Sequence, residues 1–163
     1  MIKAYLAGPD VFRPDALAWA EAARKQCYAA GVKALIPLDN DAYTAAGIYA
    51  HNVAMIRAAD VVLANLNPFR GAEPDSGTCF EVGYALALGK PVFGYLAEAG
   101  CCAERVARWQ GRPLDVRNDR RYDSGGQLVE DFGLPLNLML AVPATLVQGG
   151  LGEALAACLS SLP

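Results

Sequence analysis

Apolar residues in this chain gather into five short runs, Ile2 to Ala7, Ala34 to Pro37, Val61 to Leu66, Pro91 to Tyr95 and Ala144 to Val147, each followed by turn-forming residues. Runs of that length without polar alternation are the mark of strands covered on both faces. Between them, apolar positions recur at helical spacing. They predict helices over Ala16 to Ala30, where Trp19, Ala23 and Gln26-Cys27 fall on successive turns, and over Ala50 to Ala58, Thr78 to Leu88 and Leu151 to Leu162, with a weaker one near Ala103 to Gln110. Strands alternating with helices imply parallel pairing through right-handed crossovers. The expected architecture is an α/β, flavodoxin-like doubly wound parallel sheet of about five strands with helices on both faces, its ligand crevice at the carboxyl ends of the first and third strands.

Two segments interrupt the alternation. One is Thr44 to Gly47 with its approach; the other runs from Asp115 to Gly126 and is polar, glycine-rich and too long for an ordinary connection. A lid or interface arm and a solvated surface loop are the two readings of the second segment. With 163 residues and 54% apolar side chains, the expectation is one domain spanning residues 1–163 with a substantial core.

Charge and cysteine content narrow the partners. Fourteen basic against 17 acidic side chains give a net charge of −3, and no basic block exceeds Arg120-Arg121, which argues against nucleic acid. Five cysteines (Cys27, Cys79, Cys101, Cys102, Cys158) are scattered without C-x-x-C spacing, as expected in a reducing cytosol. The strand-like start lacks a signal peptide's features and no apolar run is long enough to span a bilayer, so the expected protein is soluble, cytoplasmic and free of the membrane.

The chemistry concentrates in Glu73-Pro74-Asp75-Ser76-Gly77-Thr78-Cys79-Phe80-Glu81-Val82-Gly83-Tyr84-Ala85, which sets two carboxylates at the mouth of a helix that follows a buried strand. Asp75 is placed to cap that helix by accepting from the backbone N–H near Thr78. Glu81 lies about a turn and a half further in among apolar and small neighbours, where the helix amino end favours an ionised, nucleophilic carboxylate near neutral pH. The turn after the first strand brings Tyr5, Asp10 and Phe12 toward the crevice. Asn65 ends the third strand, whereas Asp60 at its opposite end has a structural role, and Phe69 with Arg70 can wall a flat ligand by stacking. No G-x-G-x-x-G or Ser-His-Asp arrangement is present, and the single His51 has no second ligand at metal spacing, so neither metal nor cofactor is expected.

Taken in order, Tyr5-Leu6-Ala7-Gly8-Pro9, Pro37-Leu38-Asp39, Ala59 to Asn65, Asp75 to Ala85 and Phe132-Gly133-Leu134-Pro135-Leu136-Asn137-Leu138-Met139 resemble the nucleoside 2-deoxyribosyltransferases, which exchange the base on a deoxynucleoside. The resemblance covers most of the chain. It implies that Glu81 attacks the anomeric carbon, that Tyr5 orients its carboxylate, that Asp75 holds a sugar hydroxyl, and that Gly77 belongs to the substrate site. It also implies a homo-oligomer in which Asn137 and Met139 complete a neighbouring subunit's sugar site, acting on a deoxynucleoside and a free nucleobase. Where some members carry a base-contacting Asp this chain has Asn52, as other members do, so the resemblance assigns no proton donor to the leaving base. Phe12 and Phe69 are positioned to sandwich the base.

Three other readings share these residues. A related hydrolase would cleave deoxynucleoside monophosphates with the same Glu and pass the sugar to water, taking its phosphate cradle from Ser76, Arg70 and the Arg117, Arg120, Arg121 group. A phosphoribohydrolase resembling the lysine decarboxylases would carry Pro-Gly-Gly where this chain has Pro-Asp-Ser-Gly-Thr. A nucleotide sensor on the same fold would use Glu81 only to bind.

Overall fold

In the computed structural model, which describes residues 1–161, five parallel strands form the central sheet: β1 (Ile2–Ala7), β2 (Val32–Leu35), β3 (Val61–Asn65), β4 (Val92–Leu96) and, last in the chain, β7 (Thr145–Gln148). Their order is β2-β1-β3-β4-β7, so the sequence order reverses across β1 and β3, the flavodoxin-like arrangement. The crevice of such a sheet opens at the carboxyl ends of those two strands.

Strand periodicity divides the core into two layers. Along β1, Ala4 and Leu6 pack with α1 (Ala16–Ala29) and α6 (Leu151–Ser160). Tyr5 and Ala7 pack on the opposite face with α2 (Ala45–Ala58) and α3 (Ser76–Ala87). A smaller cluster joins Cys102 and Ala103 of α4 (Cys102–Gln110) to Val129. Among the described residues no helix is long and apolar enough to cross a membrane.

Several boundaries move from their expected places. The second strand starts at Val32, two residues before the apolar run suggested, and stops at Leu35. There Asp39 Oδ2 accepts from Ile36 N at 3.1 Å and Asn40 Nδ2 donates to Pro37 O at 2.6 Å, turning the chain away from the ladder. Helix α2 begins at Ala45, more than a turn before Ala50: Thr44 Oγ1 accepts from Gly47 N at 3.1 Å and caps it. The supposed interruption at Thr44 is thus a helix start. Helix α3 likewise opens two residues early, directly after Asp75. The proposed end of the last helix at Leu162 lies outside the described residues.

The long polar segment folds as a two-stranded antiparallel ribbon, β5 (Asp115–Arg117) and β6 (Arg120–Tyr122). Asn118 and Asp119 both take positive φ, 49° and 59°, the paired left-handed turn that suits a tight hairpin. A four-residue helix, α5 (Leu138–Ala141), precedes β7.

Candidate active site

Four segments meet over the carboxyl ends of β1 and β3 around a cavity of about 410 Å³. Gly8, Val11 and Phe12 reach it from the end of β1 and the 3-10 turn Pro9–Phe12. Pro37, Leu38, Asn40 and Ala42 come from the loop after β2. Ile48 and Asn52, one turn apart on α2, form the opposite wall. The amino end of α3 supplies Asp75, Gly77, Thr78 and Glu81.

Tyr5 is fully buried under this cavity, and its hydroxyl donates to Glu81 Oε1 at 2.5 Å. Burial pushes the Glu81 carboxyl up to about 7; the Tyr5 hydrogen bond opposes the rise and the Asp75 charge adds to it. Burial thus works against the ionised form that the helix amino end was expected to favour, and leaves the carboxyl divided between its two forms near neutral pH. Glu81 sits past the helix's free N–H groups, and loss of water outweighs the dipole there. Burial, then the nearby Glu81, drive the Tyr5 hydroxyl well above the usual phenol range, so it stays a proton donor.

Asp75 caps α3 as anticipated, but through one oxygen only. Its Oδ2 accepts from Thr78 N at 2.9 Å and from Thr78 Oγ1 at 3.0 Å. Across the cavity, Asn52 Oδ1 is buried without a hydrogen-bond partner, an acceptor awaiting a donor.

Other residues singled out in the sequence lie elsewhere. Asp10 is buried but does not line the cavity; it accepts from Asn65 Nδ2 at 2.8 Å, and Asn65 Oδ1 in turn accepts from Asn67 N and Nδ2. The pair braces the junction behind Gly8. Asp60 Oδ2 takes the Lys3 backbone N–H at 2.7 Å, the structural role expected of it.

Phe12 and Phe69 do not flank an open slot. Their rings stack on each other with centroids 5.6 Å apart and planes 17° apart, and the Arg70 guanidinium lies over both. A base would need a gap of about 7 Å between the rings, twice an aromatic stacking distance. Phe12 alone faces the cavity. Asn137 and Met139 do not line it either: Asn137 caps α5, donates to Glu130 Oε1 at 2.6 Å and accepts from Met139 N, while Met139 is exposed.

Nor do the residues suggested for a phosphate cradle line the cavity. Arg117 pairs with Asp115 and stacks on Tyr122, Arg121 pairs with Asp131, and Arg70 is held over the two phenylalanines. Among the described lining residues there is no Lys, Arg or His. No three His, Cys, Asp or Glu side chains among the described residues are placed to hold a metal.

The lining residues that sequence reasoning passed over are Gly8, Val11, Pro37, Leu38, Asn40, Ala42, Ile48 and Thr78. Gly8, Pro37, Leu38 and Thr78 stood inside recognised blocks. Ile48 carries the one-turn spacing to Asn52, which becomes visible once Thr44 is read as a cap.

A cavity of this size, with two carboxyls and no cationic side chain among its described lining, suits a small ligand, on which a carboxyl poised near neutrality can act as acid, base or nucleophile. The nucleoside 2-deoxyribosyltransferase family model matches residues 4–139. Over the whole of both chains the fold superposes on a 2-deoxyribosyltransferase from Leishmania mexicana with a TM-score of 0.81 and 36% identity. A CMP N-glycosidase from Clostridium botulinum shares the fold at 16% identity and a TM-score of 0.53, covering 98% of this chain and 99% of that one. An uncharacterised protein of Schizosaccharomyces pombe is 30% identical over 132 residues, 75% of this chain, which spans 63% of that relative's length. A match that runs from β1 through the carboxyl pair to Met139 covers every wall of the cavity, and the chain belongs to the nucleoside 2-deoxyribosyltransferase family.

Proposed function

We propose that the protein transfers a 2-deoxyribosyl group from one nucleobase to another through a covalent intermediate on Glu81. The observation that carries this reading is the 2.5 Å hydrogen bond from Tyr5 to a half-buried Glu81 at the floor of a nucleoside-sized cavity.

Glu81, as carboxylate, attacks the anomeric carbon as the glycosidic C–N bond breaks, and the bonding pair leaves with the base, which takes up a proton. The transition state is oxocarbenium-like, and the carboxylate traps it as a glycosyl ester. An incoming base then attacks from the face the first base left and gives up its N–H proton as the ester C–O bond breaks, returning the carboxylate and retaining configuration. Tyr5 fixes which Glu81 oxygen is free to attack. Asp75 holds a sugar hydroxyl, and the unpartnered Asn52 oxygen accepts from an N–H on the base edge. Asn137 and Met139, away from their own cavity, reach that of a second copy in a homo-oligomer.

A neutral deoxynucleoside is favoured over its monophosphate because two carboxyls and no cationic side chain face the cavity. The five unpaired cysteines suit a reducing, cytoplasmic setting. The test is incubation with deoxyadenosine and a second free base, followed by chromatography. A swapped nucleoside is expected and is lost in Glu81→Ala; free deoxyribose in its place points to a hydrolase, and turnover surviving in Glu81→Ala sinks the nucleophile assignment.

A further inference from the structure

We infer that Thr78 is a positioning residue, whose hydroxyl locks the Asp75 carboxylate so that one oxygen is committed to the protein and the other is presented to the sugar. This rests on the proposed role of Asp75 and extends it to a residue that touches substrate only through another.

Thr78 is 1% exposed, so its hydroxyl must find a partner inside the protein. It finds Asp75 Oδ2 at 3.0 Å, the same oxygen that already accepts from the Thr78 backbone N–H at 2.9 Å. A cap needs only the backbone bond. The hydroxyl adds a second donor to the same atom and fixes the rotation of the carboxylate about its last torsion, which is otherwise broad. Asp75 Oδ1 accepts no hydrogen bond among the described residues, and Asp75 borders the cavity. Gly77 keeps the arrangement close: a Cβ there would sit 3.1 Å from Asp75 Oδ2. A carboxylate clamped in this way offers a sugar hydroxyl an acceptor already turned toward it, saving the ordering cost at binding.

The experiment reads binding in a Glu81→Gln background, which holds nucleoside without turning it over. Calorimetry compares a 2-deoxynucleoside with two analogues that lack its 3-prime or its 5-prime sugar hydroxyl; Asp75→Asn, which keeps a capping oxygen, shows which hydroxyl Asp75 holds. Thr78→Val, of nearly equal volume, is expected to weaken binding of the parent nucleoside about tenfold. Binding of the analogue missing the hydroxyl that Asp75 holds should not change, and Thr78→Ser should restore parent binding. The inference is overturned if Val leaves parent binding unchanged, if it weakens all three ligands equally, as a loosened helix start would, or if Ser fails to rescue. Because binding is read apart from turnover, the absence of a swapped product from the parent enzyme counts against transfer alone, whereas no binding of any of the three ligands overturns both ideas.

Discussion

At the scale of single residues, the site turns on how Glu81 holds its proton. As the proposed nucleophile Glu81 must be ionised, and burial raises its carboxyl to about 7, so kcat/KM should rise with pH through that value and level off above it. Removing the Tyr5 hydroxyl deletes a bond that favours the carboxylate. Tyr5→Phe should therefore move the limb upward by about one pH unit or more, the equivalent of one charge-assisted hydrogen bond. A limb that stays in place would remove Tyr5 from the tuning of Glu81. The same shift has a stability cost. The folded value of about 7 lies above the ordinary 4.5, so between those pH values the folded state binds more protons than the unfolded one, and stability falls as pH rises through the window. Glu81→Gln cannot ionise, and it should raise Tm at pH 8 by roughly 2–6 °C with the gain fading toward pH 5. No gain at pH 8 would mean that water reaches Glu81 more freely than its burial implies. The raised value could not be read from the sequence, where the helix position of Glu81 suggested a ready anion: the dipole is local, whereas desolvation depends on how the whole fold packs around the carboxyl, and even its hydrogen-bond partner Tyr5 stands 76 positions away in the chain.

At the scale of elements, the junction after β1 decides the shape of the cavity floor. Gly8 is extended there, with φ 161°, so the constraint is space and not backbone strain. A Cβ at Gly8 would come within 2.8 Å of the Asn65 Cβ at the end of β3 and 3.0 Å of Asp10 Oδ2. Gly8→Ala should cost about 1–3 kcal/mol as the two strand ends are pushed apart, read as a lowered urea midpoint, with turnover reduced beyond what the stability loss explains. An unchanged midpoint would show that Asn65 yields without cost. The strands were legible because burial on both faces writes itself as unbroken apolar runs, and the Asp75 to Glu81 pair because its members stand six positions apart on one helix start. The start of α2 was hidden by Gly47 in its first turn, although Thr44 is an ordinary cap. The three-residue strands of the hairpin carry no apolar pattern, because they lie outside the main sheet. Phe12 and Phe69 pointed to a base sandwich on position alone; whether two rings leave a gap or close on each other is a matter of ångströms that no spacing encodes.

At the scale of the whole molecule, the cavity lies beside apolar surface that one chain leaves uncovered. Tyr49 of α2 and Phe80 of α3 are 58% and 48% exposed with ring centroids 6.0 Å apart, Phe80 stacks on Tyr84, and Met139 and Val142 at α5 are each at least 70% exposed. Tyr49, Phe80 and Tyr84 form one aromatic group, the kind of surface that the proposed homo-oligomer would cover. Helix α3 thus presents Thr78 and Glu81 to the cavity and Phe80 and Tyr84 away from it, so a second copy seated on the aromatic face would lie within a helix diameter of the reacting carbon. Asn137 is held in place: its amide donates to Glu130 Oε1, and Glu130 Oε2 accepts from Leu138 N at 3.0 Å, fixing the turn that carries it. If Asn137 serves the partner's site, its loss and the loss of Glu81 damage different subunits of one site. Glu81→Ala and Asn137→Ala should then each be inactive alone, yet co-refolded in equal amounts they should recover about a quarter of the parent activity, because a quarter of sites draw an intact Glu81 from one variant and an intact Asn137 from the other. That fraction does not depend on oligomer size so long as each site is shared by two subunits. Activity that stays at the level of the separate variants, in a mixture shown by light scattering to be assembled, would place Asn137 outside its neighbour's site and leave the aromatic face without a catalytic reason to be covered.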